Sequence, residues 1–395
     1  MMKKALLFVT LVLTLVIFTG GQVLADESQQ WINFGHKNNV AIDKEWTITF
    51  NEKMDRSTLH SNSVYAVNEN GEKLFLATYL NEERTKLRVL PPADLYNPGE
   101  DYTLYIESDV KSAEGYNMRN GYKMTFSIDP TAEKPYTLPN NPKADFFGTV
   151  TADTLNVRSG KSTDTEVIGQ VFKGQELPIY DTDGFWVETE FEGQTAYLHK
   201  DYLKLRHVSG KLLEGLNIVV DAGHGDWDPG AAVNGAEEKD IVLSVTKNVR
   251  DRLERLGANV ILTRNNDYFL SLEERVALSR SVYNDLFVSI HANSFSDPSV
   301  DGSEVFYSDS KYGNVDEGRF LAMELQQELV QMAEMDDRGV RDADFWVIYK
   351  NGSPAALVEL GFMTSPSDLE KLLNSNHRYL YADSITQGII EYFER

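Results

Sequence analysis

The chain has 395 residues, of which 42% are hydrophobic and 25% are charged. It is therefore long and apolar enough for two or three folded domains, and is neither a disordered tail nor a collagen-like fibre. Its 61 acidic and 38 basic residues give a net charge of −23, which would repel a phosphate backbone and argues against nucleic acid as a partner. There is no cysteine, so disulfides and thiolate chemistry are excluded and any metal must be held by His, Asp or Glu.

Residues 1–25 have the pattern of a cleaved secretory signal. Two lysines precede an apolar run at residues 5–18, and the tripeptide Val-Leu-Ala that ends at Ala25 offers small or apolar residues where a signal peptidase reads the chain. The run has 14 residues, whereas a helix that spans a bilayer needs about 20. We therefore expect a secreted mature protein that begins near Asp26 and has no membrane anchor after signal removal.

Residues 26–129 alternate apolar and polar side chains with a period of two, which predicts half-buried antiparallel strands. The alternating apolar residues form three groups: Trp46, Ile48 and Phe50; Tyr102, Leu104 and Ile106; Met124, Phe126 and Ile128. Short strands over about 100 residues predict an antiparallel β-sandwich of the immunoglobulin-like type. The stretches at 47–59 and 123–128 resemble bacterial Ig-like modules of surface proteins. The segment carries no catalytic cluster, so we interpret it as a spacer or docking module.

A proline-rich linker at residues 130–144 is predicted to be extended and to hold this module apart from the next. Residues 145–206 then show shorter strands, and the runs at 148–160 and 196–203 resemble bacterial SH3-like domains. The resemblance implies a small β-barrel that binds peptidoglycan and keeps the protein at the cell wall.

Three aromatic residues of this SH3-like segment have two possible roles. Phe185, Trp186 and Tyr197 could contact the cell wall, or they could be core aromatics of the small barrel. The sequence does not separate the two roles, so the binding hypothesis applies to the module as a whole.

Strand and helix patterns alternate in residues 214–395. Apolar runs predict strands at 216–220, 260–262, 286–290, 305–307 and 356–360. Helical spacing and capping residues predict one helix that stops at Gly257, one that Ser271 and Glu274 cap, one around 320–332, and two that start near Ser367 and Asn376. We therefore expect an α/β domain with a mostly parallel sheet covered by helices, and functional groups at the carboxyl ends of its strands.

Four polar residues stand where such a sheet would place a site. His224 and His291 come just past buried strands, Glu238 opens a helix, and Glu359 lies within an apolar strand. Two imidazoles and one carboxylate suit a three-ligand zinc site, and a further carboxylate is then free to move protons. Either histidine alone could be a hydrogen-bonded structural residue. Spacing also leaves Glu237 and Glu238 equally suited, because either acid fits a helix N-terminus.

The segment at 217–393 resembles the zinc-dependent N-acetylmuramoyl-L-alanine amidases of the Amidase_3 type, which cut peptidoglycan between the lactyl group of the glycan and the first alanine of the stem peptide. Seven motifs carry the resemblance in order: VVDAGHG with DPGA, EKD, LTR, SIHANS, GSEVFY, DRGV and LVELGFMT. The resemblance implies Zn²⁺ as cofactor, peptidoglycan as substrate, His224, Glu238 and His291 as metal ligands, and Glu359 as the catalytic residue.

Two positions depart from the family pattern. Asp226 stands where a second glycine usually follows His-Gly, and Ser365 stands where asparagine is common, so differences are expected in the loops around the metal. Some relatives carry an inserted helix that plugs the zinc site. The stretches between His291 and Gly302 and between Tyr307 and Phe320 are short. The second has room for a helical turn but little room for a full plug, which predicts an uninhibited site.

Two other functions are compatible with the sequence. A cell-wall-binding scaffold with an inert hydrolase domain would have the same N-terminal modules. A zinc peptidase that cuts within the stem peptide would use a similar set of ligands. The three possibilities predict different products from digested peptidoglycan.

Overall fold

The computed structural model describes residues 12–15, 31–134, 143–309 and 315–395. The chain divides into two compact units, Met1–Lys134 and Pro135–Arg395. Most of the predicted signal peptide, and residues 135–142 of the predicted linker, lie outside the described residues, and the signal stays a prediction. In the part of the chain that is described, no helix is both long and apolar enough to cross a membrane.

The N-terminal unit is a sandwich of two sheets, as predicted. Over its described residues one sheet has the strand order β1-β3-β7-β6 and the other β2-β9-β8-β4-β5. The strands are β1 (Val12–Leu15), β2 (Trp31–Val40), β3 (Trp46–Phe50), β4 (Val64–Asn68), β5 (Lys73–Leu74), β6 (Thr78–Leu80), β7 (Lys86–Val89), β8 (Asp101–Ile106) and β9 (Gly121–Ile128).

Pairing in this unit is antiparallel except at two sheet edges. Strand β1 runs parallel to β3, and β2 runs parallel to β9. Parallel neighbours need a long connection, and nearly the whole unit lies between β2 and β9 along the chain. The alternation of apolar residues predicted the strands, but it carries no information about the direction of a distant partner.

Aromatic rings fill the centre of the sandwich. Trp46, Tyr96, Tyr102 and Phe126 are all less than 5% exposed. The ring centroid of Phe126 lies 4.9 Å from that of Trp46 and 5.1 Å from that of Tyr96. The residues that alternate with these rings face outward, which explains the period of two in the sequence.

The SH3-like segment forms two small antiparallel sheets, in the orders β13-β10-β17 and β12-β11-β16-β15-β14 for the described residues. Its core contains the fully buried Val157, Val187 and Leu198. The strands are β10 (Phe146–Val150), β11 (Thr154–Arg158), β12 (Val167–Phe172), β13 (Glu176–Ile179), β14 (Asp181–Asp183), β15 (Trp186–Phe191), β16 (Gln194–His199) and β17 (Leu203–His207).

This module packs directly on the α/β domain that follows it. Lys200 Nζ lies 3.0 Å from Asp285 Oδ1, and both side chains are 7% exposed. Arg280 contacts both oxygens of the buried Asp201 carboxylate. The Phe185 ring meets the Arg280 guanidinium at 3.6 Å, so this half-buried residue lies at the junction between the modules and not in the barrel core.

The α/β domain has one sheet of strand order β21-β18-β22-β25-β23-β24 among the described residues. All neighbours are parallel except β23 and β25, which confirms the mostly parallel sheet. The strands are β18 (Asn217–Ala222), β19 (Ala232–Val233), β20 (Ala236–Glu237), β21 (Asn259–Leu262), β22 (Leu286–Asn293), β23 (Ser303–Tyr307), β24 (Asp337–Asp342) and β25 (Ala355–Phe362). The helices are α1 (Glu238–Arg255), α2 (Leu272–Ser281), α3 (Val315–Gln331), α4 (Trp346–Tyr349), α5 (Pro366–Leu373) and α6 (Ser375–Glu394).

Local chemistry sets the helix ends in this domain. Ser271 and Glu274 form the expected capping box at the start of α2. Helix α1 stops before Gly257, whose φ of +89° favours glycine, and a Cβ there would lie 2.5 Å from Glu214 Oε2. Helices α1, α3 and α6 pack together, whereas α2 packs with α4, so helices cover both faces of the sheet.

Four elements of the domain were not predicted: the two-residue strands β19 and β20, strand β24 and helix α4. Strand β24 has the sequence DRGVRD, which lacks apolar alternation because the strand lies at the sheet edge with its side chains exposed or half-exposed. Helix α4 has four residues, too few for helical periodicity to show.

Candidate metal centre

Three adjacent strands place the predicted site residues at one edge of the sheet. His224 follows β18 by two residues, His291 lies near the end of β22, and Glu359 lies on β25. His291 and Glu359 are register partners, so their side chains leave the same face of the sheet. Glu238 is the first residue of α1 and approaches from the helix side.

The side chains of His224, Glu238 and His291 converge. Glu238 Oε1 lies 3.1 Å from His224 Nε2 and 3.0 Å from His291 Nδ1. One donor atom from each residue lies within 4.8 Å of the other two, close enough to share one ion. Two imidazole nitrogens and a carboxylate oxygen are ligands that Zn²⁺ accepts, so the donor set fits the implied metal.

Burial by itself would raise the pKa of Glu238, which is only 4% exposed. Hydrogen bonds from the two imidazoles outweigh that effect and hold the pKa of Glu238 well below its ordinary value of 4.5. The backbone amides of Ala231 and Ala292 also donate to its two oxygens, at 2.9 and 3.0 Å. The carboxylate is therefore ionised and fixed in orientation, as a metal ligand requires.

The neighbouring acid Glu237 lies elsewhere. Its side chain is 42% exposed and its Oε2 atom lies 3.4 Å from Lys239 Nζ. The geometry thus separates the two glutamates that spacing could not, because only Glu238 belongs to the converging group.

Glycines make room for this cluster. A Cβ on Gly223 would lie 2.3 Å from His291 Cε1, and a Cβ on Gly230 would lie 2.5 Å from Glu238 Oε2. Gly230 also has a φ of +66°, a conformation that favours glycine. His224 itself has a φ of +62°, which is unusual for a residue with a side chain and aims its ring at the cluster.

Asp228 orients the first histidine, a role that the sequence reading did not assign. Its Oδ2 atom lies 2.8 Å from His224 Nδ1, and its Oδ1 atom accepts a hydrogen bond from the Gly230 amide. A carboxylate on Nδ1 fixes the imidazole and leaves Nε2 for the metal. The spacing of four residues from His224, within the DPGA motif, was the available signal.

The pKa of the Glu359 carboxyl group is shifted in the opposite direction from that of Glu238. Burial, and then the negative charges of Glu238 and Glu304, raise its pKa well above 4.5. Its Oε2 atom is buried and has no hydrogen-bond partner among the described residues. A buried oxygen without a hydrogen bond lowers the stability of the fold, so its presence here points to a chemical role.

Glu304 on β23 is a second residue that the sequence reading missed. It is the register partner of Glu359, is 5% exposed, and accepts hydrogen bonds from Asn293 and Arg338. Arg341 Nε lies 2.9 Å from its Oε2 atom. A glutamate inside an apolar strand is the same signal that identified Glu359.

A buried network supports the loop that carries His224. Asp221 Oδ1 accepts hydrogen bonds from Thr263 and Arg275, each at 2.6 Å, and its Oδ2 atom accepts one from Ser289 at 2.7 Å. Arg275 also donates to the carbonyl of His224 at 2.7 Å. The position of His224 therefore depends on a charge pair that lies beneath it.

The two departures from the family pattern have local explanations. Asp226 adopts a φ of 51°, and its amide donates to Asp267 Oδ1 at 2.6 Å, so a hydrogen bond holds the turn where glycine is usual. The Ser365 side chain accepts a hydrogen bond from the Asp368 amide and caps α5. Both residues shape loops and neither is a donor in the converging group.

The candidate centre opens into a cavity of about 380 Å³. Its walls include His224, Asp228, His291 and Glu359, together with apolar residues. Residues 310–314, part of the loop predicted to be too short for a plugging helix, lie outside the described residues. The uninhibited site stays a prediction.

Three segments of the chain match known families of protein domains. Residues 218–391 match the family model described as N-acetylmuramoyl-L-alanine amidase. Residues 153–204 match the bacterial SH3 domain, and residues 35–128 match the bacterial Ig-like domain.

Three relatives illustrate the extent of the similarity. The chain is 43% identical over 183 residues to the protein YqiI of Bacillus subtilis (strain 168), covering 46% of this chain and 87% of that one. It is 41% identical over 179 residues to the N-acetylmuramoyl-L-alanine amidase LytC of the same organism, covering 45% of this chain but only 36% of that relative. It is 28% identical over 252 residues to the probable cell wall amidase LytH of Staphylococcus epidermidis (strain ATCC 12228 / FDA PCI 1200), covering 61% of this chain and 82% of that one. The chain belongs to the N-acetylmuramoyl-L-alanine amidase family.

Proposed function

We propose that the protein is a secreted, zinc-dependent amidase that cleaves the bond between N-acetylmuramic acid and L-alanine in peptidoglycan. The observation that carries this proposal is the convergence of His224, Glu238 and His291 beside the buried carboxyl group of Glu359. Family membership supports the reaction type, and the similarity to a cell wall amidase supports action at the wall.

His224, Glu238 and His291 would hold the ion in this proposal. A bound zinc ion supplies a Lewis acid and lowers the pKa of water toward about 7. Asp228 keeps the His224 ring oriented through Nδ1, and the amides of Ala231 and Ala292 keep the Glu238 carboxylate in place.

Glu359 is the proposed proton carrier. Its carboxylate accepts a proton from the attacking water and then delivers it to the nitrogen of the departing alanine. Burial and the nearby carboxylates raise its pKa, which favours holding the proton between the two steps. Its Oε2 atom makes no hydrogen bond with the residues that the structure describes and is the oxygen available for this transfer.

Mass spectrometry of digested peptidoglycan tests the proposal. We expect free stem peptides that begin with L-alanine, and we expect their release to stop after chelation and to resume with added zinc. Fragments cut within the stem peptide would instead identify a peptidase. No soluble product from zinc-loaded protein would identify a non-catalytic wall-binding scaffold.

A further inference from the structure

The cavity that contains the candidate metal centre also carries exposed aromatic side chains. Trp227 is 71% exposed, Phe345 is 42% exposed and Trp346 is 41% exposed, and all three line this cavity with Phe269. We call these four residues the aromatic rim. Large apolar side chains that cluster in contact with water mark binding surfaces.

Residues of the aromatic rim pack against other aromatic rings. The rings of Trp227 and Phe269 lie 4.4 Å apart at an interplanar angle of 39°. Phe345 meets the edge of Phe306 at 5.0 Å. Ring contacts of this kind restrict side-chain rotation, so a ligand would bind at a low cost in conformational entropy.

The charges in the cavity wall restrict what the aromatic rim can bind. The wall contains the carboxyl groups of Asp221, Asp228 and Glu359. Its arginine, Arg275, is 3% exposed and is occupied by Asp221 and by backbone carbonyls. The arginine of the wall is therefore not available to pair with an anionic group, whereas the faces of the rim residues suit a neutral ring with an apolar face.

The substrate of the proposed function has two arms of different charge. On one side of the scissile amide lies a neutral chain of N-acetylated sugars, and on the other lies a stem peptide with free carboxylates. We infer that the aromatic rim is a sugar subsite in which Trp227 and Trp346 stack against the apolar faces of N-acetylated hexosamine rings. This inference rests on the proposed function for the identity of the substrate. It assigns the neutral arm to the aromatic rim.

Calorimetric titration with chitotetraose tests the assignment. This neutral tetramer of N-acetylglucosamine has no lactyl amide, so binding is measured without turnover. We expect the zinc-loaded full chain to bind it, and we expect Trp227→Ala and Trp346→Ala each to weaken binding about tenfold, the loss expected for one aromatic contact. Trp227→Phe, which keeps an aromatic face, should recover part of the affinity. Leu373→Ala, which removes a 50% exposed apolar side chain outside the cavity, should bind as the parent does.

Three results would overturn the sugar assignment: no binding of chitotetraose to the parent protein, equal binding by the parent and both alanine variants, or tryptophan-dependent binding of a free stem peptide instead. These outcomes are separable from failure of the proposed function. If digests contain free stem peptides but the tryptophan substitutions do not change chitotetraose binding, only the subsite assignment is wrong. If chitotetraose binding follows Trp227 but no stem peptide is released, the sugar subsite stands and the proposed reaction is wrong.

Discussion

The N-terminal sandwich and the C-terminal α/β domain differ in what they bury. The centre of the sandwich is a cluster of aromatic rings around Phe126. Among its described residues, no His, Asp and Glu side chains converge closely enough to share a metal ion. The α/β domain instead buries carboxyl groups at one edge of its sheet: Asp221 on β18, Glu359 on β25 and Glu238 at the start of α1.

The buried residues of the sandwich stabilise its fold, whereas those of the α/β domain also form the candidate site. Apolar burial stabilises by about 25 cal/mol per Å² and needs no specific partner. A buried charge destabilises unless partners offset it, as Arg275, Thr263 and Ser289 do for Asp221. Within the part of the chain that is described, Glu359 Oε2 lacks such a partner, which suits a group that must exchange a proton. The two domains should therefore respond differently to substitution.

The largest effect is expected from Glu359→Gln. The amide keeps the size of the side chain but cannot accept a proton, so the release of stem peptides should fall about 10²- to 10⁴-fold. Bound zinc should remain, because Glu359 is not one of the three converging donors. Glu254→Gln, which alters an exposed carboxylate of the same domain, is the control. Near-parental activity with full metal content would rule out the proposed proton carrier.

Asp221→Asn should destabilise the α/β domain by about 3–5 kcal/mol at pH 7, because it leaves buried Arg275 without its counter-ion. Burial alone would raise the pKa of Asp221, but Arg275 and two hydroxyl donors hold it below its ordinary value of 3.8. The advantage of the parent is therefore complete above that value. It shrinks as the pH falls below 3.8 and through the lower folded-state pKa.

Calorimetric unfolding of the full chain at several pH values measures this difference. Asp251→Asn removes a half-exposed carboxylate on α1 and should cost less than about 1 kcal/mol at any pH. An Asp221 effect as small as this, or one that does not depend on pH, would mean that the buried pair is not what supports the loop of His224.

The smallest effect is expected in the sandwich. Ile48→Val removes one methylene from a side chain that is 2% exposed and should lower the stability of the N-terminal unit by about 0.5–1.5 kcal/mol. The loss should be independent of pH, and stem-peptide release should be unchanged. Ile32→Val, at a 38% exposed position, is the matched control. A shift in the unfolding of the α/β domain would contradict the separation between the two cores.

Much of the fold was predictable because local patterns reported it. Alternation gave the strands of the sandwich, and the capping box at Ser271 gave the start of α2. Strand β24 and helix α4 escaped prediction because one is an exposed edge and the other is a single turn. The parallel pairing of β2 with β9 also escaped, since strand direction depends on a partner some 90 residues away.

The four central residues of the candidate site were also named from the sequence, whereas the residues that support them were not. His224, Glu238, His291 and Glu359 were named from strand ends and from the family resemblance, and the structure brings them to one cavity, with Glu238 at the start of α1 beside it. Their supporting groups were not named. Asp228 and Glu304 act through other side chains, so they leave a signal only when their partners are known.

The sequence by itself determined the class of each module, the alternation of strand and helix, and the residue types available to a metal, because these depend on composition and on neighbours a few residues apart. Only the tertiary structure decided where the aromatic rim lies and that Phe185 packs at the junction of two modules. The physical reason is distance along the chain. Side chains such as Glu238 and His291, which are 53 residues apart, come into contact only when the sheet has fixed their positions.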